Sequence, residues 1–245
     1  MVLKRKRESY KDFKTVHGVF DERTIMTLYK LINKNDISVE SMLEEGKEAV
    51  VLSGLREQKE WVAIKVYRTD ACDFKKMWKY LVEDPRFSGI SKMTRRVVSI
   101  WCQREFKNMK IAQSAGVNCP KPLAFKDNVL IMSFIGDNGI LAKRLIDVKP
   151  DDPNELYKMV LENLRKLVNV GLIHGDLSAY NILLWDEPYF IDFSHGTTIK
   201  NQMAIELLKR DIKNINSYFS KLNVAVKDPE DIFNELIKLI KSKSD

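Results

Sequence analysis

One stretch, residues 172–196, holds a histidine, two aspartates and an asparagine at fixed spacings between apolar runs. It reads LIHGDLSAYNILLWDEPYFIDFSHG, so Asn181 follows Asp176 by five residues and Asp192 ends a second apolar run. A β-hairpin with Asp and Asn at its turns is the simpler interpretation. The compound pattern is more typical of a site for a metal-bound phosphate, because the metal prefers oxygen ligands and an acid is needed for a hydroxyl proton.

Composition restricts the class of protein. With 245 residues, 44% hydrophobic and 31% charged, the chain can form two lobes with real cores. It has no apolar run near the ~20 residues of a membrane span and no secretory signal core, so we expect a cytoplasmic protein without a membrane partner. The net charge of +7 favours a polyanionic partner such as RNA or nucleotide phosphate. Neither a disulfide framework nor a zinc cluster is predicted from the cysteines and histidines: Cys72, Cys102, Cys119, His17, His174 and His195.

The N-terminal region begins with a basic cluster, Lys4–Arg7, in what we interpret as a mobile arm. Asp21 is predicted to cap a helix that runs to about Asn33. The apolar side chains recur at helical spacing: Ile25, Leu28, Tyr29 and Ile32. Arm and helix could contact RNA, or they could be only a tail and a packing helix.

Three strands separated by polar turns are predicted: Ile37–Leu43, Val50–Leu55 and Trp61–Tyr67. In the third strand, alternation places Val62, Ile64 and Val66 on one face and Lys65 on the other. A lysine in the middle of an apolar strand needs an anion. The Val-Ala-Ile-Lys pattern is that of the strand lysine that contacts nucleotide phosphates in kinases.

Residues 68–93 are polar and irregular, which predicts a short helix near Phe74–Leu81 and then a mobile loop. A helix over Thr94–Ser114 is predicted from apolar side chains at 3- and 4-residue steps, with Glu105 on the same face. An unpaired buried carboxylate is costly, so Lys65 is the expected partner of Glu105. The alternative is a solvated Glu105 at the edge of the apolar face.

The second half of the chain begins at a hinge-like break. A loop at Val117–Pro122 and a buried strand at Asn128–Phe134 lead into Ile135–Gly139, where backbone groups would hold an adenine ring. Asp152, Pro153 and Glu155 mark a strong helix start. Two more helices are predicted from later apolar positions, one over residues 205–219 and one after Asp228-Pro229.

Together these parts predict an α+β, two-lobed protein-kinase-like fold. We assign residues 1–36 to the basic arm and N-terminal helix, 37–134 to a small β-rich N-lobe that contains the phosphate loop, the mobile loop 68–93 and the Glu105 helix, and 135–245 to a mostly helical C-lobe. Only 53 residues follow Asp192 (245 minus 192), which predicts a truncated C-lobe without an activation segment or peptide-docking helices.

Phosphoryl transfer depends on positioning and charge stabilisation, and each candidate residue has a task in it. Lys65 would hold the α- and β-phosphate oxygens, and Glu105 would hold Lys65. Asn181 and Asp192 would bind magnesium, and Asp176 would position the acceptor hydroxyl.

At this point the chain resembles the RIO family of atypical kinases, nearest its type-1 branch and of archaeal kind, over roughly residues 18–225. H-G-D-L-x-x-x-N alone is shared with small-molecule kinases, whereas D-L-S-x-Y-N together with G-K-E-A is much narrower. The motifs that carry the resemblance are Gly46–Ala49, Ile64–Tyr67, Glu105–Asn108, Phe134–Gly136, His174–Asn181, Phe190–Asp192 and Met203–Ile215.

The resemblance implies an ATP-dependent serine/threonine kinase or ATPase, with Mg²⁺ or Mn²⁺, that acts in maturation of the small ribosomal subunit. It implies contact with pre-ribosomal particles or rRNA, a monomer, and autophosphorylation, for which Ser88 and Ser91 are the candidate acceptors. Some members pass through an acyl-phosphate on the metal-binding aspartate, here Asp192. Implied nucleotide contacts, besides Lys65 and Glu105, are Gly46, Lys47, Val51, Met132, Ser133, Ile135, Ser178 and Asn181.

Four positions depart from the family pattern. The phosphate loop usually reads S-T-G-K-E-A, but Glu44 and Glu45 replace the serine and threonine here. Each carboxylate near a phosphate would cost roughly 3 kcal/mol at about 5 Å and an effective dielectric near 20, and less if it turns into solvent. The usual D-F-G reads D-F-S with Ser194, and Gly175 stands where alanine is frequent.

Two other functions remain open from the sequence. A small-molecule kinase of the aminoglycoside or choline type shares the H-G-D motif, although it needs a larger helical lobe. A non-catalytic module that binds rRNA or the ribosome and uses nucleotide as a switch would fit the basic charge and the two glutamates.

Overall fold

The computed structural model describes residues 20–70, 72–87, 89 and 92–241, without the side chains of 240 and 241. Four features singled out in the sequence lie outside the described residues: the basic cluster Lys4–Arg7, His17, Ser88 and Ser91. The described chain forms an antiparallel sheet with helices against it, followed by a mostly helical part. This is the predicted two-lobed α+β architecture.

The N-lobe sheet has five antiparallel strands in the order β1-β2-β3-β5-β4. Its strands are β1 (Ile37–Glu45), β2 (Ala49–Arg56), β3 (Glu60–Tyr67), β4 (Pro122–Lys126) and β5 (Val129–Ser133). The sequence predicted four of them. It missed β4, because this edge strand has five residues and begins with a proline, which an edge position tolerates.

Helix α1 (Glu22–Lys34) covers one face of this sheet. The carboxylate of Asp21 accepts a hydrogen bond from Thr24 N at 3.1 Å, which confirms the predicted N-cap. Leu28 and Ile32 of α1 are buried in one apolar cluster with Val62, Ile64 and Val66 of β3. Burying each such side chain stabilises the fold by roughly 1.5–3 kcal/mol. The opposite face of β3 carries Lys65 and is not part of this apolar cluster.

Helices α2 (Phe74–Val82) and α3 (Thr94–Ser114) lie between β3 and β4 in the chain, close to their predicted bounds. The predicted face of α3 is buried: Val98, Trp101, Glu105, Met109 and Ala112. After α2, Pro85–Phe87 forms a 3₁₀ turn with Phe87 buried. This turn packs into the core, and residues 88, 90 and 91 of the predicted mobile loop lie outside the described residues, so the loop stays a prediction.

The hinge-like break is a small hairpin of β6 (Gly136–Asp137) and β7 (Ile140–Leu141). Its turn residue Gly139 has φ +76°, and a Cβ there would lie 2.7 Å from Trp61, so glycine is required by both conformation and space. The next strand, β8 (Lys143–Arg144), joins a three-stranded sheet in the helical part of the molecule.

The helical part is built on α4 (Pro153–Asn169), which Asp152 caps as predicted. The strands around the central motif are β9 (Leu172–Ile173), β10 (Ile182–Leu184), β11 (Pro188–Phe190) and β12 (Thr197–Thr198). They are followed by α5 (Ala204–Lys221) and α6 (Pro229–Lys241). Because α5 begins at Ala204, only residues 193–203 connect Asp192 to it, so no long activation segment lies between them.

In the part of the chain that the structure describes, no helix combines the length and the apolar character needed to cross a membrane.

Candidate active site

Lys65 projects from the middle of β3 and is only 8% exposed. Its Nζ donates to Glu105 Oε1 at 2.9 Å and lies 3.1 Å from Asp192 Oδ1. Burial alone would lower the pKa of Lys65, but the charges of Asp192 and Glu105 outweigh burial and raise it above its ordinary value. The ammonium group therefore stays charged, and the predicted ion pair with Glu105 is present.

Glu105 is 1% exposed, so the alternative of a solvated carboxylate is wrong. Its second oxygen, Oε2, accepts a hydrogen bond from the Tyr67 hydroxyl. Burial raises the pKa of Glu105, although the charge of Lys65 and these hydrogen bonds oppose the shift. The sequence placed Tyr67 on the same face as Lys65 but gave it no role. The two residues share the task of holding the Glu105 carboxylate.

Asp192 has a left-handed backbone with φ 60° and caps the 3₁₀ turn Phe193–His195. Such strain in a residue with a side chain persists where the surroundings enforce it, often at functional sites. Asp192 Oδ1 accepts a 2.6 Å hydrogen bond from Ser194 Oγ, which gives a role to the serine of D-F-S. Burial would raise the pKa of Asp192, but the charge of Lys65 and the bond from Ser194 lower it below its ordinary value.

Asp176 and Asn181 lie on the loop between β9 and β10. Asn181 Nδ2 donates to the Asp176 carbonyl at 2.7 Å and to Asp176 Oδ2 at 3.2 Å. Burial raises the pKa of Asp176, and the negative charge of Asp192 adds to this, while Arg210 opposes it. Gly175 has φ +78°, and a Cβ there would lie 2.8 Å from the His195 carbonyl. The loop therefore requires glycine at this departure from the family pattern.

Asp211 on α5 fixes this loop and was missed by the sequence reasoning. It is 0% exposed and accepts 2.8 Å hydrogen bonds from the backbone N–H groups of Gly175 and Leu177, on either side of Asp176. Burial raises the pKa of Asp211 to about 7, although these two N–H groups oppose the shift. The preceding residue, Arg210, donates to the Gly175 carbonyl and lies 3.9 Å from Asp176 Oδ1.

We expect Asp211→Asn to lower kcat strongly and to leave the KM for ATP nearly unchanged. An asparagine oxygen cannot accept from both N–H groups as the carboxylate does, so the loop that carries Asp176 would shift. A displacement of about 1 Å can cost about 100-fold in rate. Steady-state kinetics would show this, with Asp231→Asn on the exposed surface of α6 as the matched control. A change confined to KM would contradict this role.

A cavity of about 370 Å³ lies between the sheet and the central motif. Of the predicted site residues, Asp176 and Ser178 do not line it. Its wall includes the other ten: Gly46, Lys47, Val51, Lys65, Glu105, Met132, Ser133, Ile135, Asn181 and Asp192. Apolar Leu183 and Ala63 also line it, so it offers apolar surface for a ring and charged groups for phosphates.

The two glutamates of the phosphate loop are both paired with arginines. Glu44 forms an ion pair with Arg144 of β8, across the cavity, and Glu45 Oε1 lies 3.3 Å from Arg68 Nη1 within the N-lobe. The side chains of Glu44 and Arg144 are 43% and 34% exposed. The repulsion of phosphate expected from the sequence is therefore offset by cations that no local pattern reveals.

Reversing the charge of Arg144 is expected to weaken ATP binding about tenfold. Arg144→Glu would place a second carboxylate next to Glu44 beside the phosphates. The repulsion is expected to cost about 1.4 kcal/mol of ATP binding free energy after solvent screening. The exchange Glu44→Arg with Arg144→Glu is expected to restore affinity to within about threefold if the pair acts as a unit. Calorimetric titration with ATP measures this, and Arg68→Glu within the N-lobe is the control. Equal weakening of ATP binding by Arg144→Glu and Arg68→Glu would contradict this role of the Glu44–Arg144 pair.

The donor set suits a magnesium ion held jointly with phosphates. In residues 20–70, 72–87, 89 and 92–241, no group of three or more His, Cys, Asp or Glu side chains could hold a metal alone. Asn181 directs its amide nitrogen at Asp176, which leaves its carbonyl oxygen for a cation, and Asp192 supplies carboxylate oxygen. Mg²⁺ prefers one or two such ligands together with phosphate oxygens. The residues present therefore fit this metal.

Other polar features lie outside this donor set. A depression of about 580 Å³ beside α4 is lined by a mixture of charged, polar and apolar side chains and by none of the predicted site residues. Cys72, Cys102 and Cys119 are free thiols, and burial raises the pKa of each. Buried His174 donates to the Ile191 carbonyl at 3.0 Å, and burial lowers its pKa to about 4. These histidine and cysteine side chains are therefore neutral at neutral pH.

The comparison with known protein families decides the assignment. The RIO domain family matches residues 50–232, three quarters of the chain. The chain belongs to the RIO kinase family. This RIO kinase is 41% identical over 226 residues to the RIO-type serine/threonine-protein kinase Rio1 of Methanocaldococcus jannaschii, covering 91% of this chain and 77% of that protein.

Other relatives agree. This RIO kinase is 39% identical to Rio1 of Haloferax volcanii, over 85% of this chain and 73% of that protein. It is 33% identical to human serine/threonine-protein kinase RIO1, over 91% of this chain but only 40% of that protein. Together they make it an atypical serine/threonine kinase of the Rio1 type.

A solved structure of the Rio2 kinase from Chaetomium thermophilum, an ADP/Mg²⁺-phosphoaspartate complex, superposes with a TM-score of 0.68. The two share 20% sequence identity over 94% of this chain and 77% of that chain. This likeness confirms the protein-kinase-like fold of this RIO kinase.

Proposed function

We propose that this RIO kinase binds ATP together with Mg²⁺ or Mn²⁺ in the 370 Å³ cavity and transfers the γ-phosphoryl group to a serine or threonine hydroxyl. The observation that carries the proposal is the convergence of the buried Lys65–Glu105 pair with Asp192 and Asn181 on one cavity, beside Asp176. The family match favours this over a small-molecule kinase or a non-catalytic binding module.

Lys65 holds the α- and β-phosphate oxygens, with Glu105 and Tyr67 fixing its position. Gly46 and Lys47 of the phosphate loop cover the phosphates. The adenine ring lies against the hinge side of the cavity, contributed by Val51, Met132, Ser133 and Ile135. Ser178 does not line the cavity, and its proposed contact with the phosphates rests on the resemblance to RIO kinases.

Asn181 and Asp192 hold the metal, which when bound neutralises charge on the phosphates. Asp176 accepts the proton of the acceptor hydroxyl as its oxygen bonds to the γ-phosphorus, and the bond to the β-phosphate oxygen breaks to release ADP. Burial raises the pKa of Asp176, which suits a group that accepts a proton in the reaction.

The proposed acceptor is a hydroxyl delivered by a larger assembly. Residues 193–203 leave little chain for a peptide platform. The resemblance to RIO kinases supports action on the maturing small ribosomal subunit, and the charge of +7 supports contact with rRNA. Autophosphorylation on Ser88 or Ser91 is part of the same proposal and rests on sequence position only. We further propose a cytoplasmic monomer.

A second candidate is ATP hydrolysis in two steps. An Asp192 oxygen bonds to the γ-phosphorus as the bond to the β-phosphate oxygen breaks and ADP leaves, and water then cleaves this acyl-phosphate to release phosphate and restore the carboxylate. A phosphoaspartate is named for the Rio2 structure that shares this fold. In this chain the bonds from Lys65 and Ser194 hold the Asp192 carboxylate ionised, as a nucleophile requires.

Incubation with γ-labelled ATP and Mg²⁺, alone and with pre-ribosomal particles, tests both candidates. Label on serine or threonine that survives hydroxylamine supports the kinase, and hydroxylamine-labile label lost in Asp192→Asn supports the acyl-phosphate. Neither label nor phosphate release, from a folded chain that binds ATP, would contradict the proposed function and favour the binding module.

A further inference from the structure

A buried polar cluster joins three parts of the chain behind the active site. Arg104 and Asn108 of α3 and Asp84, which precedes the 3₁₀ turn Pro85–Phe87, are each 0% exposed. Arg86 of that turn forms an ion pair with Asp84 at 2.6 Å, and Arg104 Nε lies 3.5 Å from Asp84. The proposed roles in phosphoryl transfer use none of these side chains.

The cluster binds the backbone that follows the metal-binding aspartate. Asn108 Nδ2 donates to the carbonyls of Phe193 at 2.8 Å and Gly196 at 2.7 Å. Arg104 donates to the carbonyls of Gly196 at 3.0 Å and His195 at 3.3 Å. Segment 193–196 is therefore tied to α3 through its main chain.

The sequence of this segment is adapted to the contact. Gly196 has φ −59°, which any residue adopts, but a Cβ there would lie 2.8 Å from Asn108 Nδ2. Glycine is needed here because Asn108 approaches so closely. Arg86 also donates to the Gly196 carbonyl at 3.2 Å and to Asn108 Oδ1 at 2.8 Å, so the contact extends to the turn after α2.

Packing alone does not explain a buried arginine. A buried ion pair is often replaced by apolar residues without loss of stability, so its presence here points to positioning. Burial lowers the pKa of Arg104 to about 10, so it is charged at neutral pH. Burial would raise the pKa of Asp84, but the hydrogen bond and charge of Arg86 and the charge of Arg104 lower it.

The contacts close a ring. Glu105, next to Arg104 on α3, holds Lys65, and Lys65 holds Asp192. The backbone after Asp192 returns to α3 through Arg104 and Asn108. We propose that Arg104 and Asn108 are positioning residues that fix the Asp192 carboxylate relative to Lys65 before ligands bind. The proposal rests on the proposed function, in that Asp192 is taken as a magnesium ligand.

The test compares Arg104→Met and Asn108→Leu with Arg96→Met, the same change as the first on the exposed surface of α3. ADP affinity is measured by calorimetry with Mg²⁺ and with EDTA, and hydrogen exchange of residues 193–198 is measured without nucleotide. Mg²⁺ is expected to raise the ADP affinity of the wild type. In both cluster variants we expect this increase to be about 10–100-fold smaller, as for other residues that orient a metal ligand. Metal-free affinity should stay within about twofold, because neither residue lines the cavity. Exchange at 193–198 should accelerate.

Wild-type exchange and wild-type magnesium dependence in both variants would overturn the proposal, and so would an equal loss of affinity with and without metal. If Arg104→Met does not fold, Arg104→Lys, which keeps the charge but loses the fork of donors, is measured beside Asn108→Leu. If the wild-type chain itself shows no magnesium-dependent binding, the proposed function fails. The exchange data still decide whether α3 holds segment 193–196.

Discussion

Replacing Asp176 by asparagine is expected to lower kcat for phosphoryl transfer by about 10²–10⁴-fold, the usual contribution of a positioned general base. The carboxylate does not line the nucleotide cavity, so its removal leaves the nucleotide contacts in place. Asparagine keeps the shape and can still accept the 3.2 Å hydrogen bond from Asn181 through its oxygen, but it cannot take up a proton. The KM for ATP should therefore change little.

Two measurements make this result specific to Asp176. Circular dichroism and thermal unfolding should match the wild type, because the loop is held by Asp211 through the backbone of Gly175 and Leu177. Asp186→Asn, the same change at the exposed turn between β10 and β11, which does not line the cavity, should retain full activity. Wild-type turnover in Asp176→Asn would exclude Asp176 as the base and leave only an electrostatic role for the loop.

The most useful predictions from sequence came from charged residues at apolar positions. Lys65 interrupts an apolar strand of period 2 and Glu105 interrupts the apolar face of a helix of period 3.6, so each was expected to need a partner of opposite charge, and the two were paired. Asp211 carries the same signal, because it lies three residues after Leu208 and four before Ile215 on the buried face of α5.

Contacts made by distant surface residues were not predictable from one sequence. Glu44 and Arg144 are 100 positions apart, and both are flexible side chains that no local period places on a given side. Arg104 and Asn108 were missed for a different reason: α3 is buried on more than one face, and a single apolar stripe was assigned to it. The strand β4 was missed because its pattern is short and begins with proline.

Lys65→Met is expected to abolish phosphoryl transfer and also to destabilise the fold. The methionine fills similar space but leaves Glu105, 1% exposed, without its cation. Removing one partner of a buried pair typically costs about 3–5 kcal/mol, because the other charge stays uncompensated. Chemical denaturation at neutral pH should show a loss of this size, whereas an exposed change such as Lys110→Met should show almost none.

The pH dependence of this loss follows from the two carboxylates that Lys65 contacts. Burial already raises the pKa of Glu105, and without Lys65 it rises further above the ordinary value near ~4.3. A folded-state pKa that is raised costs stability as pH increases from the unfolded value through the folded one. For Asp192, whose pKa Lys65 lowers, the variant loses stability that was present above about pH 4. Through Glu105, the loss of stability in Lys65→Met therefore grows as pH rises from ~4 to ~8, whereas the loss through Asp192 disappears only as pH falls well below ~4.

The double variant Lys65→Met with Glu105→Gln separates stability from activity. A neutral amide can still accept the hydrogen bond from the Tyr67 hydroxyl and carries no buried charge, so most of the lost stability should return at neutral pH. Activity should not return, because no cation is left to hold the phosphates. If both stability and activity recovered, Lys65 would act only through folding. If neither recovered, the buried charge of Glu105 would not be the cause of the lost stability.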